Sequence, residues 1–150
     1  MNGHELLGLT RNNRHIADVM RGVFSSNNLP QKVSKYPSAY ICNTDPTFLP
    51  GSHWVVFWIH SPVRAEFYDS FGNLPGYYGV AFDVFLQNNC KYCVYNNVQI
   101  QHRDSDSCGY HVLFYIWMKC YNNLMSQVIR LLSHCINPDV YVKEFVHKYL

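Results

Sequence analysis

The sequence predicts an α+β fold, a sheet centred on one hairpin and packed against one buried helix, and three stretches carry that expectation. "HWVVFWI", residues 53–59, is continuously apolar and rich in Val and aromatic side chains, as a central strand is. "AEFYDS", residues 65–70, follows the turn "HSPVR" and reads as its antiparallel partner, ending near Asp69. "CGYHVLFYIWMKC", residues 108–120, is too long an apolar run for a strand and reads as a central helix that begins at a cysteine.

The remaining elements follow in chain order. "HIADVMRGVFSS" spaces Ile16, Val19, Met20 and Val23 as one face of a short amphipathic helix. "NNLPQKVSKYPS" is loop by its Asn, Pro and Ser content, and "AYICN" from Ala39 is a short strand stopped by "TDPTFLPGS". After "FGNLPGYYG", the segment "VAFDVFLQNN" carries Val80, Val84 and Phe85 at helical spacing. "YNNVQIQH" alternates Val98 and Ile100 with Gln99 and Gln101, the pattern of a half-exposed strand, and feeds the polar loop "RDSDS". Near the end, Asn137 can cap a helix with Pro138 in its first turn and Val142, Phe145 and Val146 on one side.

At 150 residues the chain supports one well-buried core, so a single domain over residues 1–150 is expected. Hydrophobic residues make up 48% and charged ones only 15%, which excludes a disordered chain and leaves aromatic area to spare for a groove. The net charge of +2, with scattered Lys and Arg, does not describe a general nucleic-acid binder. "MNGHELLGLTRNNRH" lacks the pattern of a secretory signal, and no apolar run reaches membrane-spanning length, so an intracellular, membrane-free setting is expected. In such a reducing setting Cys42, Cys90, Cys93, Cys108, Cys120 and Cys135 read as thiols. "CKYC" has the spacing of a zinc ligand pair, but no second close pair accompanies it, so no metal site is expected.

The chemistry lies in four polar residues. A cysteine at the head of a buried helix sits among free amides that favour negative charge, so the Cys108 thiolate is easier to reach than in an isolated side chain. Gly109 removes a side chain where a substrate backbone must approach. His53, opening its strand, can exchange a proton with that thiol, and Asp69 can hold the other ring nitrogen. The hairpin supplies their proximity, because antiparallel pairing lays the start of the first strand beside the end of the second; Glu66 is the competing acid until the register is seen. Gln101 can donate its amide to a developing oxyanion together with the Cys108 backbone N–H. Each residue alone has a structural reading: a packed strand histidine, a turn-capping aspartate, a surface glutamine, a small buried thiol.

In order, "HW" at His53 and Trp54, "YDSFG" with Asp69, "IQ" with Gln101 and "SCG" with Cys108 resemble the adenovirus-type, or adenain-like, cysteine endopeptidases of adenoviruses and related mobile viral elements. The upstream "LP…YPSAYICNTDP…PGSHW" extends the likeness over about residues 28–118. The resemblance implies an α+β fold with a mixed sheet packed against a helix that begins at the nucleophile. It implies Cys108 as nucleophile, His53 as general base and acid, Asp69 as orienting carboxylate, Gln101 as oxyanion donor and Trp54 as a wall over the site. The implied activity is maturation of viral precursor polypeptides at glycine-containing sequences through a thioester, in the host nucleus and the virion. No cofactor is needed for that chemistry. An activating peptide, linked by disulfide to Cys90 by the family spacing or to nearby Cys93, also follows from the resemblance. The modest charge argues against stimulation by DNA.

A deconjugating peptidase for a ubiquitin-like modifier shares the His–Asp–Gln–Cys order and is the first alternative. A non-enzymatic interaction domain, with the four residues unused, is the second.

Overall fold

The computed structural model describes residues Met1–Leu150. Its centre is a five-stranded mixed sheet in chain order: β1 (Met20–Ser25), β2 (Ser38–Asn43), β3 (Trp54–Ile59), β4 (Arg64–Tyr68) and β5 (Tyr92–Tyr95). The two outer pairs are parallel and the two inner pairs antiparallel. Six helices surround it: α1 (Gly3–Asn12), α2 (Arg14–Val19), α3 (Val80–Asn89), α4 (Cys108–Cys120), α5 (Met125–Ser133) and α6 (Pro138–Tyr149).

The sheet is covered on both faces, which is why "HWVVFWI" does not alternate. Val56 and Trp58 enter one core with Ala39, Ile41 and Tyr68, against Val112, Leu113 and Ile116 of α4. Val55, Phe57 and Ile59 enter the other with Tyr40, Cys42 and Phe67, against Phe82, Phe85 and Leu86 of α3. Successive strand residues point to opposite faces, so one apolar run serves two cores. Each fully buried Val, Leu, Ile or Phe contributes about 1.5–3 kcal/mol, and α4, with Val112, Leu113, Phe114 and Ile116 fully buried, contributes as many of them as the central strand β3.

Four expectations are corrected. The first helix stops at Val19 and Met20–Ser25 is an edge strand, because β2 offers it a parallel ladder that outweighs local periodicity. On α3 the buried residues are Phe82, Phe85, Leu86 and Asn89, while Val80 and Val84 are exposed, since the larger aromatics fill the core against Phe57. The strand in that region is Tyr92–Tyr95, and residues 96–101 are irregular: the Ile100 and Gln101 amides bond inward to a turn instead of to a neighbouring strand. Two helices, α1 and α5, were not anticipated. The first had a legible signal, the capping box in which Asn2 Oδ1 accepts from Glu5 N at 3.0 Å and Asn2 N donates back to Glu5 Oε2 at 2.6 Å. The second shows Met125, Val128 and Leu132 on one buried stripe. The strands β2, β3 and β4, the helix α4 and the Asn137-capped α6 fall where the sequence puts them; Asn137 Oδ1 accepts from Val140 N at 3.2 Å.

Candidate active site

The β3–β4 register sets Val56 opposite Tyr68, so His53, just ahead of β3, lies beside the residues that follow β4. There His53 Nε2 meets Asp69 Oδ1 at 2.6 Å, with both side chains buried. Glu66 is elsewhere. Its side chain faces the α4 core, where Tyr115 donates to it and Lys119 Nζ lies 3.0 Å away.

Asp69 is held from several sides. Its carboxylate accepts from Phe71 N at 2.9 Å, Asn73 N at 3.2 Å and the Tyr78 hydroxyl at 2.5 Å. Asn96 clamps its backbone, accepting from Asp69 N at 3.0 Å and donating to Asp69 O at 2.6 Å. Phe71 stacks on the His53 ring, centroids 4.4 Å apart. Tyr78, Asn96 and Phe71 were not singled out in the sequence, because residues of these types in loops have no periodicity to mark them.

Cys108 opens α4 and is buried beside His53. Since Nε2 is engaged by Asp69, Nδ1 is the ring nitrogen left for the thiol. Burial works against the charge on each partner, yet for His53 the Asp69 carboxylate, and for Cys108 the neighbouring His53, outweigh it. His53 is raised to about 9, with Asp69 the largest favourable influence, and Cys108 is held below the ordinary thiol value, helped by the Trp54 and Gly109 amides. The other five thiols are all pushed up by burial. All six cysteines are free.

This contrast gives a direct expectation. Iodoacetamide at neutral pH should modify Cys108 ahead of the other five thiols, as read by peptide mapping. In His53→Ala the imidazole that favours the thiolate is gone and only the Trp54 and Gly109 amides still oppose burial, so the alkylation profile of Cys108 should move to higher pH. An unmoved profile would mean that His53 does not stabilise the thiolate.

Gln101 reaches the site from a loop, not from the alternating strand expected for it, and it is 1% exposed. The turn after β4 makes this possible. Gly72 has φ +76° there and presses against Val98, where a Cβ would come within 2.6 Å of the Val98 carbonyl carbon. Ile100 N and Gln101 N both donate to Ser70 O, at 2.8 and 2.9 Å. The Gln101 side chain is then fixed at both ends: Oε1 accepts from Ser70 Oγ at 2.6 Å, and Nε2 donates to Ser105 O at 2.8 Å. A carbonyl can only accept, so Ser105 identifies the nitrogen end, whose second hydrogen is unspent.

His53, Trp54, Gln101 and Cys108 line one cleft of about 560 Å³ together with Phe71, residues 50–52 and the N-terminal Met1, Asn2 and Gly3. Trp54 forms part of its wall and donates from Nε1 to Met1 O at 3.0 Å. Gly109 is placed differently from the expectation that it opens space for substrate. It is buried behind Met1, and a Cβ there would meet the Met1 side chain at 3.1 Å. Cys90 and Cys93 line a separate cavity of about 730 Å³ with Tyr77, Tyr92 and Tyr95. No helix is long and apolar enough to cross a membrane.

No protein-family model and no curated protein matches this sequence. Among solved structures, the crystal structure of ASFV pS273R protease is similar at 20% identity and a TM-score of 0.53, over 75% of this chain and 42% of that one. A selenomethionine crystal structure of the same protease gives 22% identity and a TM-score of 0.46, over 75% of this chain and 44% of that one. The chain thus spans less than half the length of the protease it resembles, and what the two share is the α+β fold built on a mixed sheet.

Proposed function

We propose that this protein is a cysteine endopeptidase of the adenovirus type, acting on viral precursor polypeptides at glycine-containing sites. The observation that carries the reading is Cys108 at the head of α4 beside His53, whose far nitrogen is held by Asp69 at 2.6 Å. The Cys108 thiolate attacks the peptide carbonyl, and the oxyanion that forms is met by the Cys108 N–H and the unspent Gln101 hydrogen. The His53 imidazolium gives its proton to the departing amine, leaving a thioester. Neutral His53 then takes a proton from water, hydroxide adds to the thioester, and the thiolate leaves as the acid product forms. Asp69 keeps the ring oriented and favours its charged form throughout. The protease fold of the structural neighbour supports this assignment.

Profiling cleavage across a peptide library tests class and glycine preference together. Cleavage of flexible glycine-containing peptides is expected; exclusive cleavage of a folded Gly-Gly modifier fusion would favour the deconjugating alternative.

Gln101→Ala is expected to slow acylation by about a hundredfold, equivalent to about 3 kcal/mol for one lost oxyanion donor, with little change in substrate affinity. Single-turnover kinetics reads thioester formation directly. Weaker binding with a normal acylation rate would move Gln101 into the substrate groove.

The activating peptide is part of the same proposal. A peptide whose cysteine is presented as a disulfide would lie in the cavity beside β5 and exchange with the Cys90 thiolate, releasing its other sulfur as a thiol, in preference to Cys93, because burial pushes Cys93 up to about 12 and leaves almost no thiolate there at neutral pH. Non-reducing peptide mapping checks the site; linkage at Cys93 in Cys90→Ser with activation retained would overturn the choice.

A further inference from the structure

We propose that Asp139, on the first turn of α6, is a positioning residue that fixes the loop between Gln101 and Cys108 and thereby aims both oxyanion donors. The proposal rests on the reading of those two residues given above. Asp139 is the one side chain from outside the loop that hydrogen-bonds to both its ends. Its Oδ2 accepts from His102 N at 3.1 Å, next to Gln101, and its Oδ1 accepts from Ser107 Oγ at 2.6 Å, next to Cys108.

The same Oδ1 accepts from His111 Nε2 at 2.8 Å, one turn into α4. His111 is fully buried, and burial depresses its pKa, so the neutral ring donates from Nε2 while Nδ1 faces the Tyr68 hydroxyl at 3.4 Å. The pair therefore ties α6 to the helix that carries the nucleophile.

From Asp139 a hydrogen-bond path runs to the Gln101 amide. Ser107 Oγ lies 2.6 Å from Ser105 Oγ, Ser107 N donates to Ser105 Oγ at 3.1 Å, and the Ser105 carbonyl takes the Gln101 Nε2 hydrogen. Without Asp139 the Ser107 hydroxyl loses its carboxylate acceptor, and the bonds that remain to Ser105 run only to Gln101 and to other residues of the same loop. The Gln101 amide and the Cys108 N–H then lose their common reference. A second α6 contact to this loop, Lys143 with Asp106 at 3.2 Å, joins exposed groups and supplies a natural control.

The test uses Asp139→Ala, the near-isosteric Asp139→Asn and the control Lys143→Ala. Peptide hydrolysis should show kcat reduced by about tenfold or more in Asp139→Ala with KM little changed, since misplaced donors act on the transition state. Asp139→Asn keeps one acceptor oxygen and should fall between it and the unmodified protein, and Lys143→Ala should match the latter. Alkylation of Cys108 needs no oxyanion site, so its rate should be unaltered. Combining Asp139→Ala with Gln101→Ala should cost less than the product of the two single losses, because the part of the Asp139 effect that acts through Gln101 is already gone.

Trypsin reads the loop without any assumption about activity. Cutting after exposed Arg103 should accelerate in Asp139→Ala, and in Asp139→Asn if the alanine variant does not fold. Unchanged Arg103 cleavage overturns the proposal, as does a multiplicative double variant or a parallel loss of alkylation. An unmodified protein that cleaves no peptide would defeat the peptidase reading, while faster Arg103 cleavage in the variants would still uphold the anchor.

Discussion

Replacing Cys108 with alanine is expected to reduce peptide turnover by on the order of a millionfold, the effect of deleting a nucleophile whose partners cannot substitute for it. The fold should survive, because Ala fits where the thiol was and α4 is held by Val112, Leu113, Phe114 and Ile116 in the core. Thermal unfolding comparable to the unmodified protein is therefore part of the expected result. A further consequence follows from the coupling of the pair. Against the cost of burial, His53 is lifted to about 9 by Asp69 and in part by Cys108, so in Cys108→Ala the ring should lose its proton at lower pH, as followed by NMR titration. Turnover retained by the purified variant would end the nucleophile assignment.

Asp69→Asn is expected to lower kcat by about ten-thousandfold, the cost of misassigning the tautomer of a catalytic imidazole when its carboxylate becomes an amide. The amide can no longer stabilise the imidazolium, and its NH2 group opposes either the His53 ring or the Phe71, Asn73 and Tyr78 donors now directed at the carboxylate. Glu66→Gln should have the opposite profile. That residue pairs with Lys119 and accepts from Tyr115 inside the core, so its loss leaves a buried ammonium poorly matched and costs stability, about 3–5 kcal/mol for breaking a buried pair. Its effect on kcat should be small. Denaturant unfolding and steady-state kinetics on the two variants give two rankings, and a larger kcat loss in Glu66→Gln would transfer the orienting role.

The two acids illustrate how a strand's period decides chemistry. Glu66 and Asp69 are three residues apart in "AEFYDS", and composition alone treats them alike. Period-2 alternation sends Glu66 to the α4 face, whereas Asp69 lies past the last strand residue, in the turn that bends back toward His53. The hairpin leaves both acids as candidates; strand alternation and the turn after β4 choose between them.

What the sequence by itself determined was the framework: β2, β3, β4, α3, α4 and α6, and with them the meeting of His53, Asp69 and Cys108. Those elements are strongly apolar or carry capping and turn residues, signals that act within a few residues and survive any tertiary context. The rest depended on partners distant in the chain. Met20–Ser25 is a strand because β2 lies beside it, and residues 96–101 are not one because Ser70 and Asn96 draw their backbone onto the turn after β4. Gln101 is consequently buried and oriented by Ser70 and Ser105 instead of standing on a half-exposed strand. Gly109 likewise packs under Met1, a residue more than a hundred positions away in the chain. Backbone donors and acceptors that find no local ladder are satisfied wherever the fold brings a partner, and no window of neighbouring residues contains that information.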